Sequence, residues 1–278
     1  MITTARYSDY GGIIALWQEA FGDTKEYIEM FLNQKANNDN ILLYKKDNVV
    51  ISMLFILPCR LVQGEVSYPC AYLYCLATLK EYRGNGISTK LLDFADKLLI
   101  KRGYAAAVLV PANELLFMFY NKRGYSIQGG VNTLVLNADK LSGNSDIEFT
   151  NITAENIVNL RKQYFGSCYL EWDLDAVKYI IKEIQFVGGD FYGFSVNCVA
   201  GFVAVAPWDD RLIIREFAGD IDLLIPILQK LHSIYNKKQY VLWLSKTCGI
   251  GRDTELAMTK WYTNKEIDSS FYLSHYLA

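Results

Sequence analysis

The sequence predicts an α/β (α+β) protein made of two copies of one unit, the second copy degenerate. Three observations lead there. Strand-like apolar runs alternate with segments of helical period along the whole chain. "DNVVISMLFILP" (47–58) and "VNCVAGFVAVAP" (196–207) echo each other without a gap, pairing Asn48 with Asn197, Val50 with Val199 and Pro58 with Pro207. "LLIKRGYAAAVLVP" and "SIYNKKQYVLWLS" echo again, each with a basic helix end, a tyrosine and an apolar strand. The predicted division is a first unit over 1–140 and a second over 146–278. The polar "LNADKLSGNSD" (136–146) serves as linker.

In the first unit, "MITTARY" reads as a short strand. Ile13, Ile14, Leu16, Trp17, Ala20 and Phe21 mark a helix. Asp23 is the expected cap of a second helix through "DTKEYIEMFLNQK", with Glu26 three residues on as its capping-box partner. "NILLYKKDNVVISMLFILP" reads as strand, Asp-Asn turn, strand. Another strand follows at 71–79, then a glycine loop, then the long helix "STKLLDFADKLLIKRG" (88–103). "YAAAVLVP" (104–111) is short and apolar, as a central strand should be. "NELLFMFYNKRGY" (113–125) is a helix with Asn113 as N-cap and Gly124 just past its end.

The second unit is expected to hold a strand at "IEFTNIT" and helices at "ENIVNLRKQYFG" and "LDAVKYIIKEI", followed by strands. Its last helix, "DLLIPILQKLHSIY", repeats Ile221, Leu224, Ile225, Leu228 and Leu231 at core spacing, so it should pack on its own sheet. In this copy the strand "RLIIREFAG" runs almost directly into that helix. The glycine loop therefore exists once, and the fold does not require it.

Composition narrows the function. The chain has 278 residues, enough for one large domain or two ordinary ones. With 51% hydrophobic and 21% charged residues it can bury a sizeable core. A net charge of −2 argues against a general nucleic-acid binder. "MITTARYSDYGG" has neither the basic nor the apolar region of a signal peptide, and no apolar window is long enough to span a membrane. Cys59, Cys70, Cys75, Cys168, Cys198 and Cys248 are scattered without a C-x-x-C, as expected of reduced thiols in a cytoplasmic protein. No metal is expected, since only His232 and His275 could supply imidazoles and neither is spaced with a cysteine.

The informative stretch is "EYRGNGIS" (81–88), between a strand and a helix. Gly84 and Gly86 let the backbone turn tightly and let a ligand approach its N–H groups. Those groups open a helix N-terminus, where orphan donors and the dipole favour an anion. Arg83 adds a fork of donors suited to phosphate oxygens. Asn85, Ile87, Ser88 and Thr89 complete this pyrophosphate cradle. A P-loop would need a lysine after Gly86. The dinucleotide fingerprint would need a glycine at Thr89 and an opening βαβ unit.

Arg83-Gly84-Asn85-Gly86-Ile87-Ser88 resembles the acyl-CoA pyrophosphate loop of the GNAT acyltransferase superfamily, with serine where that family prefers glycine or alanine. A second motif agrees: Asn113, then Phe119-Tyr120-Asn121-Lys122-Arg123-Gly124-Tyr125. The resemblance covers about residues 1–130. "CLATLKEYRGNGIS" is similar to the N-terminal domain of enhanced-intracellular-survival-type acetyltransferases, which carry a degenerate second copy and a third, sterol-carrier-like domain. This chain is expected to be too short for a third.

The resemblance implies a mixed sheet with helices on both faces and acetyl-CoA as acyl-donor substrate. The pantetheine arm would run along Leu76-Ala77-Thr78, where the strand splays from its neighbour. A backbone N–H near Leu76 would face the thioester oxygen, Asn113 would help hold the cofactor, and Tyr120 would protonate the departing thiolate. The acceptor implied is a small-molecule or peptide primary amine, with neither nucleic acid nor membrane as partner. The second unit is a candidate for shaping the acceptor pocket or a homo-oligomer interface. The proton acceptor is left open among Glu19, Asp23, Glu26, His275 and the chain terminus, where "SSFYLSHYLA" is apolar enough to dock as a strand. No cysteine–histidine pairing suggests an acyl-enzyme. Two alternatives stand beside this function: an aminoacyl-tRNA-dependent transferase of the same fold, against which the intact loop argues, and a non-catalytic acyl-CoA-binding module.

Overall fold

A computed structural model describes residues 1–264 and 270–273. His275 and the last residues of the chain, named above as candidate bases, lie outside the described residues. The first unit runs β1 (Ile2–Thr4), α1 (Tyr10–Phe21), α2 (Lys25–Gln34), β2 (Ile41–Lys46), β3 (Val49–Gln63), β4 (Val66–Thr78), α3 (Ile87–Lys101), β5 (Ala106–Leu109), α4 (Glu114–Asn121) and β6 (Ser126–Asn137). The second runs α5 (Ala154–Tyr164), β7 (Cys168–Glu171), α6 (Leu174–Phe186), β8 (Asp190–Val196), β9 (Val199–Trp208), β10 (Arg211–Ala218), α7 (Leu224–Tyr235), β11 (Gln239–Leu244), β12 (Arg252–Trp261) and β13 (Phe271–Tyr272). The fold is mixed α/β, as the sequence predicts. No described helix is long and apolar enough to cross a membrane.

Local chemistry sets the boundaries. Gly22, at φ 78°, ends α1. The cap of α2 is Thr24, whose hydroxyl accepts from Tyr27 N, and not the expected Asp23. Asp23 is taken by the Trp17 indole N–H at 2.7 Å. Asp47 and Asn48 both have positive φ and form a tight β2–β3 hairpin, and Asn197–Cys198 do the same between β8 and β9. The two turns thus correspond one position off the gapless sequence echo. The β2–β3 ladder absorbs the extra residue where its register shifts between Tyr44 and Lys45.

Two expectations fail. Residues 147–153 are not a strand and contribute one bridge, Thr150 to Gly193. Strand β6 instead runs into the supposed linker as far as Asn137. In α7 the buried face is Leu224, Ile227, Leu228 and Leu231, and Ile225 is 44% exposed. The helix starts only at Leu224, after a 3-10 turn over Ile221–Leu223, which resets its phase.

The strands form one sheet in the order β1-β2-β3-β4-β5-β12-β6-β11-β10-β9-β8. Strand pairing crosses between the halves of the chain in both directions. β12, from the second half, lies between β5 and β6. β6 pairs with β12 through its first part and with β11 through Asn132–Asn137. β7 and β13 bridge β3 to β6 and close a ring through β4, β5 and β12. Gly129 and Gly130 permit this convergence. A Cβ on Gly129 would sit 2.3 Å from the Phe271 ring, and one on Gly130 2.1 Å from Thr254 O.

One core is common to both units: Trp17, Ile28 and Phe31 pack with Trp172, Tyr179 and Ile180. A fragment ending near Leu141 would lose β12 and bare both β5 and β6. Such a fragment is expected to be insoluble or to lack a cooperative unfolding transition, which circular dichroism would register. Inside the second unit, Arg161 of α5 forks onto Glu216 of β10 at 2.8–3.0 Å, and both are buried. Arg161→Ala strands a buried carboxylate, so urea unfolding should show a loss of about 3–5 kcal/mol.

Candidate active site

The site begins where β4 leaves β5. The two strands pair in parallel from Cys70–Ala106 to Tyr72–Val108, and the pairing stops there. Cys75 takes φ 49°, an uncommon conformation for a residue with a side chain, and the β3–β4 register shifts between Met53 and Phe55. Cys75 and Leu76 thus form a bulge that turns the end of β4 away from its neighbour. Between the strands lies a largely apolar cavity of about 320 Å³, whose lining includes Phe21, Leu54, Tyr74, Leu76, Leu109 and Tyr120.

Hydroxyls clamp the strand end. Ser52 Oγ donates to Ala77 O at 2.6 Å and lies 2.8 Å from Thr78 Oγ1, which lies 2.9 Å from Ser88 Oγ. Ser88 therefore ties α3 to β4. Arg83 Nε donates to Thr78 O at 2.9 Å, and the rest of this side chain is exposed. Asn85 Nδ2 donates back to Tyr82 O and Arg83 O, so Asn85 stiffens the loop and lines neither hollow.

Gly84 and Gly86 have φ of 80° and 71°, with nothing within 4 Å of a built Cβ. They are needed for conformation, and the space before them is open. Gly86 caps α3 without any side-chain bond, which leaves the first-turn N–H groups facing outward. A second hollow, about 240 Å³, lies there among Thr78, Tyr82, Arg83, Gly84, Gly86, Ile87, Ser88, Thr89, Phe119 and Arg123.

Arg123 is the residue that sequence reasoning missed. It donates to Phe119 O at 2.6 Å and to the Thr89 hydroxyl, and its guanidinium stacks 3.6 Å from the Phe119 ring centroid. Its Nε is buried without a partner. The signal available was a basic residue inside the Tyr-x-x-x-Gly-Tyr motif, but only folding brings it to the α3 N-terminus.

Tyr120, 7% exposed, lines the first cavity. Burial pushes its hydroxyl up to about 12, partly offset by the nearby Arg123 charge. Asn113 caps α4 by accepting from Leu116 N at 3.1 Å and does not line either hollow. Leu76, Ala77 and Thr78 form the splayed strand end. Among the candidate bases, Glu19 accepts from Lys80 N at 2.9 Å, Asp23 holds Trp17, and Glu26 is exposed in the first turn of α2.

Residues 1–128 match the family model described as an acetyltransferase (GNAT) domain. Three solved structures share the fold over nearly the whole chain. An Enterococcus faecalis protein described as a "probable N-acyltransferase" aligns with a TM-score of 0.73 at 14% identity, over 94% of this chain and 72% of its own. A GCN5-related N-acetyltransferase from Anabaena variabilis aligns at 0.72 and 15%, over 93% and 72%. Eis1 from Mycobacterium abscessus aligns at 0.67 and 11%, over 94% and 73%, in line with the resemblance drawn from the loop. No curated protein matches the sequence.

Proposed function

We propose that the protein is an acyl-CoA-dependent N-acyltransferase that moves an acetyl group from acetyl-CoA to a primary amine by direct attack. The observation that carries this is the sequence of features along one line: the glycine cradle at the α3 N-terminus, the clamped strand end, and the apolar cavity with Tyr120 in its wall. The diphosphate would lie on the N–H groups of Gly84–Thr89, neutralised by Arg83 and Arg123. The pantetheine arm would run along Leu76-Ala77-Thr78, on the side of β4 that β5 no longer covers, and deliver the thioester into the cavity.

The amine nitrogen attacks the thioester carbonyl. A C–N bond forms, and the carbonyl electrons move to oxygen, where the backbone N–H near Leu76 stabilises the charge. The C–S bond then breaks, the thiolate takes the Tyr120 proton, and the nitrogen sheds its extra proton to solvent, from which Tyr120 is reprotonated. A hydroxyl held near 12 remains a proton donor throughout the neutral range, as this step requires.

A screen of primary amines with acetyl-CoA, read by thiol release and by the mass of the acceptor, tests the function. Thiol release matched mole for mole by acetylated amine is expected. Bound acetyl-CoA with no acetylated product would make the chain a binding module instead.

A further inference from the structure

Adjacent residues of a strand point to opposite faces, and residues of both faces line the cavity between β4 and β5. Tyr120 and Leu73 belong to the α3–α4 side, and Tyr74 to the α1–α2 side. Tyr74 lines the cavity while its ring packs on Trp17 and Phe31, with centroids 5.6 and 5.5 Å away. Its hydroxyl neighbours that of Tyr27 in α2. The Tyr27 hydroxyl in turn donates to Glu183 Oε1 at 2.6 Å. Glu183 belongs to α6 of the second unit and is half-buried, so it can exchange protons with solvent.

We infer that Glu183 is the proton acceptor for the attacking amine, reached from the cavity through the hydroxyls of Tyr74 and Tyr27. This rests on the N-acyltransferase function proposed above. An ammonium N–H bond breaks as Tyr74 Oη takes the proton. The Tyr74 proton passes to Tyr27, and the Tyr27 proton passes to the Glu183 carboxylate. Nitrogen keeps the electron pair and attacks the thioester.

Burial raises both tyrosines, which disfavours a free tyrosinate and makes the hand-over concerted. The groups facing Glu183 include Tyr27 of α2, Lys35 just past the end of α2, Tyr74 of β4 and Tyr179 of its own helix. Lys35 lies 5.4 Å over the Trp172 ring, and burial lowers its pKa. The acceptor this path suits is an amine that arrives as its ammonium ion. The second unit would thus supply a reacting group as well as a wall.

The test is kcat/KM for the best amine against pH, at saturating acetyl-CoA, for the unmodified chain, Glu183→Gln and Tyr27→Phe. Both variants should lose about 10²-fold at neutral pH, the usual scale for a positioned base. Their rates should then climb about tenfold per pH unit towards the amine's own pKa, because only free amine reacts. Acetyl-CoA affinity should be unchanged in both. Variants that keep the unmodified pH profile would overturn the relay while leaving the transferase function intact. Loss of acetyl-CoA binding along with rate would also overturn it, by making Tyr27–Glu183 a packing contact between α2 and α6. If the unmodified chain transfers to no amine, the function itself fails and the relay with it.

Discussion

Gly86→Glu is expected to abolish acetyl-CoA binding. Two effects add. The position has φ 71°, which costs a residue with a side chain about 1–2 kcal/mol. The new carboxylate would stand at the α3 N-terminus, where it would occupy the donors and repel the diphosphate. The protein should still fold, because a Cβ there meets nothing within 4 Å. Affinity should fall about 100-fold or more, some 2.7 kcal/mol. A thermal shift reads this directly: saturating acetyl-CoA should raise the Tm of the unmodified chain and leave that of the variant unchanged. A variant that keeps the full shift would move the diphosphate elsewhere.

The second large effect is on chemistry. Tyr120→Phe should lower kcat about 10²-fold or more with the best acceptor, while acetyl-CoA affinity stays within a factor of about two. Phenylalanine keeps the ring packed on Phe119 and Tyr125, at centroid distances of 5.1 and 5.7 Å, so only the proton is lost. With the hydroxyl raised to about 12, its ionisation should not depress kcat anywhere in the neutral range. The donor is present below that value and lost only as pH rises through it. An unaltered kcat would assign Tyr120 to packing.

The glycine turn and helix start at 83–88 were legible because their chemistry is contiguous. Two glycines at positive φ, an arginine and a helix start fall within a few residues, and each has a local physical reason. Helices with apolar stripes, such as α3 and α6, were legible for the same reason. What escaped depends on distant partners. Arg123 reaches the cradle only when α4 folds against α3, through Thr89. Asp23 reads as a cap until Trp17 claims it. Strand β12 fills a gap between β5 and β6 that no local pattern announces, although the Gly129–Gly130 pair marks the close approach it requires. The bulge at Cys75 is set by the β3 register, and nothing in "YCLAT" alone requires it.

The cradle follows β4 in the first half of the chain, and β10 has no counterpart before α7. The proposed acyl-CoA site therefore occurs once per chain. Titration of the unmodified protein with acetyl-CoA by calorimetry should therefore give one site per chain, and Gly86→Glu should give none. Two equivalent sites, no binding, or a site that survives the substitution would contradict an acyl-CoA cradle built from Arg83 to Thr89.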